Sequence, residues 1–161
     1  MSRPFEEVLS EHLDTLYSGA LHLCAGDRDT AEDLVVETAT GAASAFQDGH
    51  HEDPGAFMEE TLIRTFLRRT EGQVFRSPEN SLAPMNWPWA GDPAEVLGPL
   101  ELLKPRVRCT LWLVVIQRRS YKKVGELLGV GREQIAEWVR EGHRVLFQVE
   151  ARNDRRRQSS Q

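Results

Sequence analysis

Arg132, Gln134, Arg140, His143 and Arg144 follow one another closely, with Lys122 and Lys123 just before them. An arginine can grip a guanine edge with two parallel hydrogen bonds, and a glutamine can do the same for adenine. Lysines and arginines also neutralise phosphates and release their condensed counterions. The chemistry on offer is nucleic-acid contact. Arg132 and Gln134 suit base edges, Lys122, Lys123, Arg140 and Arg144 suit phosphates, and His143 adds a donor. Arg64, Arg68 and Arg69 form an earlier group of candidate phosphate partners, while Glu32, Asp33 and Glu37 are carboxylates suited to a basic protein surface. Nothing comparable supports catalysis. His50 and His51 stand beside Glu52 and Asp53, but no spaced histidine or cysteine pair completes a metal site. No phosphate-cradling glycine loop and no nucleophile with a local base is present, so neither an enzyme nor a metal or cofactor is expected.

The elements that must position these groups read as helices throughout. Ser120–Leu128 carries Tyr121, Val124, Leu127 and Leu128 on one side. Gly129-Val130-Gly131 follows as a tight turn, where glycine accepts backbone angles that other residues resist. A second helix starts near Arg132 and carries Ile135, Val139, Val145 and Leu146 at helical spacing. This pattern predicts a helix-turn-helix, in which the second helix enters the major groove and its first side chains meet base edges. Further forward, Phe5–Cys24 reads as an amphipathic helix broken at Gly26-Asp27. A second helix, capped by Asp29 or Thr30, runs to about Phe46, and a third covers about Pro54–Thr70. Another helical stretch begins near Ala94, and Pro105–Gln117 follows with proline at its first position. The expected fold is all-α, with helical domains at 1–70 and 94–150, a proline-rich linker at 71–93 and a frayed basic tail at 151–161. The linker holds Trp87 and Trp89, which are expected to dock on a helical domain.

Charge divides the chain in the same place. Residues 1–99 hold 6 Arg against 18 Asp or Glu, a balance of −12, and residues 100–161 hold 14 Lys or Arg against 7 Asp or Glu, a balance of +7. The basic half suits phosphates and the acidic half a basic protein partner. No apolar run approaches the ~20 residues that span a bilayer, and no signal peptide is apparent, so a cytoplasmic protein without a membrane partner is expected. Cys24 and Cys109 lie far apart among apolar residues and read as reduced core thiols.

Three stretches together resemble a known family. Gly26-Asp27-Arg28, then Ala31-Glu32-Asp33-Leu34-Val35-Val36-Glu37-Thr38, is similar to a GDR…AEDLVQET signature. Asp53-Pro54-Gly55-Ala56-Phe57 with Thr61-Leu62-Ile63 is similar to a DPxAY…TLV segment. Leu103-Lys104-Pro105-Arg106-Val107-Arg108 with Ser120–Val130 is similar to an LPPRxR…SYxEIAELLGV pattern. All belong to the two-domain sigma factors of the extracytoplasmic-function group, the first two to region 2 and the third to region 4. The resemblance implies a dissociable initiation subunit whose partners are core RNA polymerase and promoter DNA. It also implies regulation by an anti-sigma factor. Region 2 would dock on polymerase through Glu32, Asp33 and Glu37, and region 4 would read the upstream promoter element.

The departures are local. Thr38-Ala39-Thr40-Gly41-Ala42-Ala43-Ser44 stands where the group carries an aromatic and a basic residue. Glu59 and Glu60 replace early arginines, and Arg64 replaces a common asparagine. Ala136-Glu137-Trp138 replaces a stretch that is often basic. Carboxylates facing a phosphate backbone oppose binding. Two functions therefore stand side by side: a divergent working sigma factor, or a sigma-like protein that occupies polymerase or an anti-sigma factor without opening promoters. They differ in whether the Arg64, Arg68 and Arg69 face is contiguous and positive.

Overall fold

A computed structural model describes residues 4–47, 52–70 and 98–160. Among these residues the chain forms six α-helices and no strand: α1 (Phe5–Leu23), α2 (Arg28–Gln47), α3 (Pro54–Thr70), α4 (Pro105–Leu111), α5 (Tyr121–Leu128) and α6 (Arg132–Ser159). The linker expected at 71–93, Trp87, Trp89, His50 and His51 lie outside the described residues. Among the described residues no helix is long and apolar enough to cross a membrane.

The front three helices pack on stripes set by helical spacing. Val8, Leu16, Ala20 and Leu23 of α1 are buried, as are Leu34, Val35 and Ala42 of α2 and Met58, Leu62, Ile63 and Phe66 of α3. Thr38 is buried among them, and its hydroxyl donates to Leu34 O at 2.7 Å, so that hydroxyl is not stranded. The chain leaves α1 through Ala25 and Gly26, both at positive φ, with Gly26 N donating to Leu21 O at 2.8 Å. The cap of α2 is Asp27, not Asp29 or Thr30: Asp27 Oδ1 accepts from Thr30 N at 3.2 Å and Oδ2 from the Thr30 hydroxyl at 2.9 Å. A carboxylate satisfies the free amides best from the position just before the first helical residue. These bonds also hold the Asp27 carboxyl below its ordinary range. Asp53 caps α3 in the same way through Ala56 N, and Pro54 occupies the first helical position.

The back half departs from its expected helices in three places. The stretch before Lys104 is a 3₁₀ turn, Gly98–Leu102. α4 passes into a π turn over Trp112–Ile116, with Gln117 N bonding back to Trp112 O at 2.9 Å. The expected frayed tail is helix instead, because α6 runs unbroken to Ser159.

The two halves share a core. Cys109, Trp112, Leu113, Val124, Leu128 and Ile135 belong to the same buried cluster as the apolar stripes of α1, α2 and α3. Trp112, 1% exposed, lies against Gly19 so closely that a Cβ there would sit 2.4 Å from the ring. Two polar contacts reinforce the join. Arg108 Nη1 donates to Leu23 O at 2.7 Å at the end of α1, with the guanidinium 5.6 Å from the Phe66 ring centroid. Arg119 Nη2 meets Glu59 Oε2 at 2.7 Å. A smaller cluster of Leu100, Leu102, Leu103, Val107, Leu111, Val145 and Val149 fixes α6 on α4.

Candidate nucleic-acid interface

The α5–α6 corner is built by local chemistry. Ser120 caps α5, its hydroxyl accepting from Lys123 N at 3.2 Å. Val124 and Leu128 bury the inner face of α5, which leaves Lys122 and Lys123 in solvent. Gly129 ends the helix in the left-handed region, at φ 71°. Gly125 is equally required: a Cβ there would lie 2.6 Å from Val130 O, so the turn folds directly onto the α5 backbone. Sequence reading gave Gly125 no role. Its signal was a glycine inside a helix, which costs about 1 kcal/mol against alanine and so needs a packing reason.

α6 then buries Ile135, Val139, Val145 and Val149 and turns its other face outward. Arg132, Gln134, Arg140, His143 and Arg144 are all exposed. Among the described residues only Arg140 of this group has an ionic neighbour, Glu137 Oε2 at 3.6 Å. The corner therefore presents cations and amide donors to solvent, interspersed with the exposed carboxylates Glu126, Glu133 and Glu137, the last of which pairs with Arg140.

The α3 arginines are placed differently. Arg64 pairs with Glu60, one turn earlier. Arg68 Nη2 meets Glu37 Oε1 at 3.0 Å and Arg69 Nε meets Glu37 Oε2 at 3.4 Å. Glu37 was expected to face a protein partner and the two arginines phosphates, yet the fold brings them together across α2 and α3. Glu32 and Asp33 remain exposed on the first turns of α2, with Val36 beside them 65% exposed. Glu59 does not face outward as a barrier to phosphate. Its side chain is 14% exposed and turned to Arg119. Glu60 is the outward carboxylate of the two.

A cleft of about 430 Å³ separates α3 from α5 and mixes both signs of charge, including Asp53, Glu59, Glu60, Arg64, Arg119 and Lys123. Elsewhere the titratable groups are arranged for structure. Burial pushes the Cys24 thiol up to about 11 and the Cys109 thiol to about 12, so both stay protonated and unreactive. Burial, and then the charge of Arg108, lowers His22 to about 4, leaving it neutral near pH 7. These pKa shifts have structural causes and arm no nucleophile. Arg108 and Arg119 tie the halves together; in sequence Arg108 was legible as part of the LPPRxR-like stretch and Arg119 only as a basic residue, and neither as a tie. The chain matches no protein-family model and no curated protein.

Proposed function

We propose that this protein is a divergent sigma-type transcription initiation subunit that holds DNA mainly through its back half. In this reading α5, the Gly129 turn and α6 act as a helix-turn-helix. Arg132 and Gln134 reach base edges, and Lys122, Lys123, Arg140, His143 and Arg144 hold the backbone. The observation that carries it is the exposed row of donors on the first turns of α5 and α6, set behind a glycine-built turn and largely free of ion pairs. The exposed carboxylates Glu32 and Asp33 suit a basic surface on core polymerase. The test is transcription reconstituted from purified core polymerase, this protein and genomic DNA fragments. Specific initiation supports the reading, and its absence with polymerase binding intact removes it.

A second reading is favoured by one specific arrangement. Every α3 arginine that could hold an open strand is paired with Glu37 or Glu60. A protein built this way could occupy polymerase, or an anti-sigma factor, without melting DNA. Permanganate footprinting separates the two, since only an opening factor exposes unpaired thymines.

A further inference from the structure

Past its first turns α6 carries an outer surface that starts on Arg140, His143 and Arg144 of the promoter-reading corner and runs beyond them to Arg156. Residues 142–160 contain five arginines against two carboxylates. Neighbours on a helix surface stand three and four residues apart. Arg140, Arg144, Gln148, Arg152 and Arg156 therefore form one row of four-residue steps, and all are exposed. The adjacent row holds His143, Phe147, Ala151 and Arg155. Phe147 is 71% exposed, although Val145 and Val149 on either side of it are buried. Glu150 and Asp154 fall on the far flank of the Phe147 row, away from the main arginine row. Among the described residues Arg144, Arg152, Arg155 and Arg156 have no ion pair. From Arg140 to Arg156 the row spans about 24 Å at 1.5 Å per residue.

We infer that this outer surface of α6 binds an unpaired DNA strand, with arginines on its phosphates and Phe147 stacked on a base. The charge fits a polyanion. The exposed ring fits a base face, which a duplex hides inside its stack and a single strand presents. A helical protein partner fits less well, because it needs apolar anchors at three- and four-residue spacing. The neighbours of Phe147 at those spacings are His143, Arg144, Glu150 and Ala151. The same shortage of apolar residues disfavours a lipid surface.

The experiment is fluorescence anisotropy of the full chain with a labelled oligothymidine and, separately, a duplex hairpin, across a salt series. Phe147→Ala should weaken oligothymidine binding about fivefold or more, and Phe147→Trp should restore it, because stacking contributes of that order per base. Duplex affinity should stay within about twofold in both variants. Changing Arg152, Arg155 and Arg156 together to Gln should lower the single-strand salt slope by about 2, at roughly 0.7 per phosphate contact. All these positions face solvent, and circular dichroism checks that the helix is kept. Unchanged oligothymidine binding in Phe147→Ala overturns the inference, as does an equal loss on the duplex. Tighter binding to oligouridine would assign the surface to RNA and overturn the choice of DNA. Arg132→Ala should leave oligothymidine binding intact, so a failure of promoter reading is distinguishable from a failure of this surface.

Discussion

The arginines of α3 and those of α6 are the same side chain put to opposite uses. On α3, Arg64, Arg68 and Arg69 each meet a carboxylate from Glu60 or Glu37. On α6, Arg132 and Arg144 point into solvent and Arg140 is only loosely held by Glu137. The local supply of acid makes the difference: 18 carboxylates to 6 arginines before residue 100, and 7 to 14 basic residues after it. A basic residue becomes a candidate phosphate contact only where no internal anion has claimed it. Counting arginines on a face overstates its field unless the carboxylates of the neighbouring helix are counted too.

The comparison holds only while the two regions form one body, so the hardest way to break it is at their join. Trp112→Ala should cost about 3–5 kcal/mol, the usual loss for a large buried aromatic. Both halves should lose stability together, seen as one coincident urea transition by circular dichroism and, with Trp87 and Trp89 changed to Phe in parent and variant alike, by the fluorescence of Trp138 on α6. If the α1–α3 bundle melts unchanged, the shared core carries no stability. Gly19→Ala tests the same contact from the other side. Its methyl gains helix propensity but strikes the Trp112 ring, so net destabilisation of about 1–3 kcal/mol is expected.

The free cations of the back half come next. Arg132→Ala should cost about 1–3 kcal/mol at the preferred duplex and little on other sequences. Lys122→Ala with Lys123→Ala should weaken all duplexes alike and lower the salt slope by about 1.8, at roughly 0.9 per phosphate. Filter binding across a salt series reads both. Unchanged duplex affinity and an unchanged salt slope for the lysine pair would show that they are a solvated face and nothing more.

How far the sequence revealed this contrast depends on the distance over which each feature is decided. The stripes of α1, α3 and α5 and the left-handed Gly129 follow from residues within one or two turns, and they were legible. Asp27 as the α2 cap was missed by two residues, because Asp27, Asp29 and Thr30 all carry cap chemistry and only backbone geometry chooses among them. Trp112, which opens the π turn, packs against Gly19 some ninety positions earlier, a contact that no local pattern encodes. The helix beyond residue 150 has no apolar stripe to betray it. The pairing of Glu37 with Arg68 joins residues 31 apart in sequence, so each was readable as a charge and neither as a partner.

A pH series sharpens the view of the join. His22 sits beside Arg108 and is lowered to about 4, against about 6.5 in an unfolded chain. Between those values the unfolded state binds a proton that the native state refuses, so stability falls as pH falls through this window. At pH 5.5 the loss from this group is about 1 kcal/mol. His22→Gln should flatten the stability slope between pH 6.5 and 4 relative to the parent chain. An identical slope in both would mean that carboxylates alone govern acid unfolding.

The smallest change asks whether the contrast between the two regions can be erased. Glu37→Gln removes the anion shared by Arg68 and Arg69 while keeping a side chain of nearly the same shape. Arg68, with 69% of its side chain exposed, makes a surface pair that contributes only about 0–1 kcal/mol, and Arg69 is half-buried at 33%, so the fold should respond modestly and mainly through Arg69. The released cations should instead act on phosphate. Binding of the whole chain to melted or mismatched DNA should tighten by a few-fold, roughly what one to two added contacts supply, and the gain should vanish at high salt. Glu59→Gln is the matched control. It frees Arg119 at the join rather than an α3 arginine, so it should lower stability without improving DNA binding. If Glu37→Gln leaves binding unchanged, masking by carboxylates is not what distinguishes α3 from α6. If Glu59→Gln gives the same gain, the effect is a change in net charge and owes nothing to where the charge lies.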